Sequence, residues 1–104
     1  MHLQLASAPH LCRADGTVLP LALRDAALLT WLVLEGPTPR TRLAQVMWPA
    51  STPEAARNTL RQRLFQLRKH AGADLITGTS LLALAEGVAH DLGDAHGVLE
   101  PHTL

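Results

Sequence analysis

At 104 residues the chain is sized for one domain with a modest core. Nearly half its residues are apolar but only three are aromatic, so the core must be Leu, Ala and Val, with Trp31, Trp48 and Phe65 as large fillers. A formal net charge of zero hides an uneven distribution taken up below, a single cysteine excludes an internal disulfide, and no apolar run nears the ~20 residues of a membrane span.

The first stretch, His2 to Ala6, alternates, with Leu3 and Leu5 on one face. Leu11-Cys12-Arg13 continues as a strand, and Asp15-Gly16 is a strong two-residue hairpin signal that returns the chain through Thr17-Val18-Leu19. Residues 2–21 therefore read as a small antiparallel sheet of two or three strands. Cys12 is expected there as a small sheet or core residue, since no neighbour would activate its thiol. With no basic-then-apolar leader pattern at the start, the sequence points to the reducing cytoplasm.

Arg24 to Glu35 predicts a helix that is apolar almost all round, of the kind normally surrounded by its neighbours. Gly36 ends it and Pro37-Thr38-Pro39 makes a stiff link. A second helix follows over about 39–48, with Leu43, Val46 and Met47 facing inward and Trp48 closing it beside Pro49. Arg40, Thr41 and Arg42 occupy its first turn, where free backbone N–H groups attract anions. They are candidate phosphate clamps, and each taken singly reads equally well as an ordinary exposed helix start.

Thr52 to Gly72 then predicts the longest helix, with Thr52 as N-cap and Pro53 at the first helical position. Ser51 with Glu54 has capping-box spacing, which would start it one residue earlier. At about 100° per residue, Ala56, Leu60, Leu64, Leu67 and Ala71 line one side. Asn58, Arg61, Gln62, Phe65 and Lys69 fall on the other, with Arg57, Arg63 and Arg68 flanking the apolar stripe. A merely solvated face usually mixes signs, whereas this helix holds four arginines and one lysine against Glu54 alone. Over residues 40–70, seven cations face that one acid, while Arg13 and Arg24 face eight acids elsewhere. Local field steers a polyanion to a surface, and the segregation points to duplex DNA. A helix of this diameter fits the major groove, where Arg, Asn and Gln can each bond a base edge twice.

Beyond Gly72, Leu75-Ile76-Thr77 and Leu81 to Leu84 read as two short strands joined through Gly78-Thr79-Ser80. The order helix, short turn, long basic helix is that of a helix-turn-helix, and a hairpin directly behind it would form a wing.

Taken together, these elements resemble the DNA-binding domain of SARP-type transcriptional regulators, within the OmpR/PhoB-like winged helix proteins. The carriers are Arg24-Asp25-Ala26-Ala27-Leu28-Leu29, Arg40-Thr41-Arg42-Leu43-Ala44, Met47-Trp48-Pro49, and Ala56-Arg57-Asn58-Thr59-Leu60-Arg61 with Leu67-Arg68. Val88-Ala89-His90-Asp91 is similar to the valine–aspartate pair that closes the family's domain. The resemblance implies an α+β winged helix-turn-helix over residues 1–92. It would have an N-terminal antiparallel sheet, a three-helix core (about 24–35, 39–48 and 53–71), a β-hairpin wing (about 74–85) and a tail at 93–104. Its function would be sequence-specific double-stranded DNA binding by a transcriptional regulator; the alternative is a winged helix used for protein–protein contact.

By the same resemblance the third helix enters the major groove, with Asn58, Arg61, Gln62 and Gln66 at the bases. Arg40, Thr41, Arg42, Arg57, Arg63, Arg68, Lys69 and Thr79 would hold phosphates; Arg57 also suits a structural pairing with an acid, with phosphate contact slightly favoured. The family's wing often carries Gly-Tyr and cations; this hairpin has neither, so only hydroxyl or backbone contact is expected from it. Family members usually continue into a helical domain, so the chain is expected as a piece of a larger regulator or as a stand-alone module. The expected partners are DNA, a second copy on a repeated half-site, and RNA polymerase or another regulator subunit.

Other chemistry finds little footing. The six histidines include no pair at helical ligand spacing, although His90, Asp91, Asp94 and His96 could gather around a cation. With no Gly-rich phosphate loop and no partner histidine for Cys12, neither enzymatic activity, a cofactor nor a metal is expected.

Overall fold

Thr52 opens the longest helix by accepting a hydrogen bond from the Ala55 N–H at 3.2 Å, and Pro53 follows where its missing donor leaves nothing unsatisfied. The structure, a computed structural model, describes residues 1–6, 8–13 and 15–92. This helix, α3, runs over Pro53–Ala71 and stops at Gly72, whose φ of 75° and ψ of 12° are left-handed. The cap is thus Thr52 rather than Ser51. Ala56, Leu60, Leu67 and Ala71 are buried along the expected stripe, with Leu64 half-buried.

Two shorter helices precede it, α1 (Leu23–Glu35) and α2 (Arg40–Met47). Composition suggested that α1 would be enclosed all round, but Leu23 and Leu34 are exposed while Asp25, Ala26, Leu28, Leu29 and Leu32 are buried. Its neighbours cover one side only, and the other faces water. α2 starts later than the pattern suggested because Thr38–Pro39 is a strand, β4. Val46, expected inside, is exposed, and Ala44 joins Leu43 and Met47 in the core. Arg24 Nη1 donates to the Met47 carbonyl at 2.7 Å, satisfying one of the carbonyls that the end of α2 leaves without a helical partner.

Strands β1 (His2–Gln4), β2 (His10–Cys12) and β3 (Val18–Pro20) form the expected antiparallel set, with Leu3 opposite Leu11 and Leu11 opposite Leu19. A fourth strand, β7 (Ala89–His90), pairs parallel to β1 and gives the order β3-β2-β1-β7, which the sequence pattern did not reveal. Asp91 locks this return. Its carboxylate accepts from the Leu5 N–H at 2.6 Å, the Ala6 N–H at 2.9 Å and Gln4 Nε2 at 2.8 Å. The hairpin β5 (Ile76–Thr77) and β6 (Leu81–Leu84) lies behind α3, with β4 on the free edge of β6. Its turn needs Gly78: φ is 105°, and a Cβ there would sit 1.9 Å from the Leu81 carbonyl oxygen.

These elements make an α+β domain with two adjoining apolar clusters. One joins the N-terminal sheet through Leu3, Leu5 and Leu11 to Leu29, Leu67 and Ala71. The other joins Leu28, Leu32, Leu43, Met47, Ala56, Leu60 and Leu82. Because α3 is anchored at Ala56 and Leu60 in one and at Leu67 and Ala71 in the other, its outward face has a fixed azimuth. No helix among the described residues is long and apolar enough to cross a membrane. The tail 93–104 lies outside the described residues.

Candidate nucleic-acid interface

With the stripe buried, the opposite face of α3 is open, and Asn58, Arg61, Gln62, Gln66 and Lys69 are all exposed on it. Arg61 Nη2 donates to Asn58 Oδ1 at 3.1 Å, a contact between residues three apart that aligns two of the expected base readers side by side. The amides of Gln62 and Gln66 follow on adjoining turns. Arg61, Gln62, Phe65 and Gln66 together line one shallow depression.

Phe65 corrects the composition argument. Composition alone predicts it as a large core filler, but it is 63% exposed. Its helical phase, opposite the leucine stripe, is the sequence signal that outranks its hydrophobicity. Its other edge borders the groove between α3 and the hairpin, which Arg40, Leu64, Arg68 and Gly78 also line. Arg40 in turn borders a third depression with Thr41, Thr79 and Ser80. Since consecutive depressions share Phe65 and then Arg40, the α3 face, the start of α2 and the hairpin turn form one continuous surface.

The expected phosphate ligands divide into distinct environments. Arg57 and Lys69 are exposed and make no ion pair among the described residues. Arg68 Nε pairs with Asp74 Oδ1 at 2.9 Å, but both side chains are more than half exposed. Such a solvent-screened pair contributes at most about 1 kcal/mol, so a phosphate could displace it. Arg42 is exposed, its guanidinium 5.9 Å from the Trp31 ring centroid, where the ring face holds it beside the start of α2.

Arg40 is tied to the hairpin. Its backbone N–H donates to the Ser80 carbonyl at 2.8 Å and its Nη1 to the Thr79 carbonyl at 3.3 Å. The first N–H of α2 is therefore taken, and any anion there would meet the guanidinium and the later N–H groups instead. Thr79 and Thr41 are exposed beside it.

Arg63 is the clear correction. Read as a phosphate ligand, it instead turns toward α1 and grips Asp25 twice, Nε to Oδ1 at 2.9 Å and Nη2 to Oδ2 at 2.5 Å. The hydrogen bonds to Asp25 raise its pKa above the ordinary arginine value, against the opposing effect of burial. Asp25 itself is buried, so this pair is structural and its charge is spent inside the domain. The partner lies 38 residues away, and no local pattern could have identified it.

Among the described residues no three His, Cys, Asp or Glu side chains are grouped to hold a metal ion. Asp91 is committed to β1, while Asp94 and His96, named with it as a conceivable cation cluster, lie outside the described residues. No family model, curated protein or solved structure matches the chain.

Proposed function

We propose that this chain is a sequence-specific double-stranded DNA-binding domain with a winged helix-turn-helix architecture. α2 and α3 would be the helix-turn-helix, α3 the recognition helix in the major groove, and β5–β6 the wing. The residue pattern around Trp48-Pro49 and Ala56 to Arg61 favours, more narrowly, a SARP-type transcriptional regulator of the OmpR/PhoB-like group.

The observation that carries this reading is the outward face of α3. Asn58, Arg61, Gln62, Gln66 and Lys69 stand there without an ion pair to any acid among the described residues, on a helix whose other side is anchored in both apolar clusters. Donors capable of bidentate bonds to base edges sit at the centre. Arg40, Arg42, Arg57 and Arg68 surround them as phosphate contacts. One copy would bury only about 600–1,000 Å² on DNA, so two copies on half-sites about one helical turn apart suit the task better.

Selection from a random duplex library tests the proposal. Enrichment of a defined motif is expected. Retention of all duplexes alike, or of none, would count against it, and the second outcome would turn attention to a protein partner for the same fold.

A further inference from the structure

Phe65 is a large apolar side chain at the centre of a polar, cationic face, and 63% of it is open to solvent. It belongs to neither apolar cluster among the described residues. Arg61, Gln62 and Gln66 share its depression, and Arg40 and Arg68 share the groove on its other side. An apolar protein partner seated on this ring would have to desolvate those cations. A duplex would neutralise them.

Within the major groove, base-pair edges present hydrogen-bond donors and acceptors, and the one apolar group among them is the C5-methyl of thymine. We infer that Phe65 is a specificity-determining residue that packs on a thymine methyl while Arg61, Gln62 and Gln66 bond the neighbouring base edges. This assignment rests on the DNA-binding reading above. It gives the exposed ring a use that no polar neighbour could supply, and it makes the chain sensitive to a single methyl group on the DNA.

The test uses the duplex enriched from the random library, with each thymine replaced in turn by deoxyuridine, which removes the methyl and leaves every hydrogen-bonding group in place. Affinity is read by fluorescence anisotropy. At one thymine of a half-site the replacement should weaken wild-type binding about fourfold, the effect of one buried methyl. Phe65→Ala, with its melting temperature measured alongside, should lose at least as much on the thymine duplex and be indifferent to uracil at that same position. Wild-type protein insensitive to every uracil replacement would overturn the inference while leaving DNA binding intact, as would Phe65→Ala retaining the wild-type sensitivity. Failure to enrich any duplex would overturn both readings together.

Discussion

Replacing Arg63 with alanine should cost the domain stability rather than a DNA contact. The Arg63 side chain is 35% exposed and that of Asp25 only 8%, so the substitution strands a nearly buried carboxylate whose two strongest donors are gone. Removing one partner of a fully buried pair costs about 3–5 kcal/mol. Here water can enter by the route the arginine vacates, which lowers the expected loss to about 2–3 kcal/mol. For a domain of this size that corresponds to a fall in Tm of roughly 10–20 °C. Urea denaturation followed by circular dichroism would measure it. Asp25→Ala combined with Arg63→Ala should recover part of the loss, because the stranded charge is then absent. DNA affinity per folded molecule should hardly change. An unchanged Tm with a uniform loss of affinity on all duplexes would refute the reasoning and return Arg63 to the phosphate backbone.

Two further outcomes follow from the same structure. Burial opposes ionisation of Asp91, but the N–H groups of Leu5 and Ala6 outweigh it and hold its carboxyl below the usual aspartate range. A depressed folded-state pKa stabilises above the unfolded value of about 3.9 and is lost as pH falls through the folded value. Asp91→Asn should therefore destabilise the domain near neutral pH, with the gap to wild type closing below about pH 4 in thermal melts; a gap that is constant with pH would contradict this. Arg61→Ala should cost about 1–3 kcal/mol on the preferred duplex and relax one base position in a repeated selection. An equal loss on every sequence would make Arg61 a phosphate ligand instead.

What the sequence disclosed about this fold follows from the range of the forces involved. The phase of α3 was legible because its stripe recurs at the helical period and its ends carry Thr52-Pro53 and Gly72, all local signals. The Asp15-Gly16 turn was legible for the same reason: Gly16 takes a φ of 91° and Asp15 accepts the Thr17 N–H. β7 was not, since a two-residue strand paired with β1 across almost the whole chain leaves no periodic trace. Arg57 and Arg63 both flank the stripe, so spacing alone could not say which would meet an acid; the position of Asp25 on α1 decided it for Arg63. Phe65 shows two sequence rules in conflict, hydrophobicity placing it inside and helical phase placing it outside, and the anchoring of α3 in two clusters favours phase.

The central claim, that the open face of α3 and its surroundings seat a polyanion, is tested most directly by the salt dependence of binding to a duplex. Arg40, Arg42, Arg57, Arg68 and Lys69 remain as the proposed phosphate contacts once Arg63 is paired with Asp25. If four or five phosphates are neutralised, log K should fall against log salt with a slope of about −4. A slope near zero, or no measurable binding at low salt, would contradict the account.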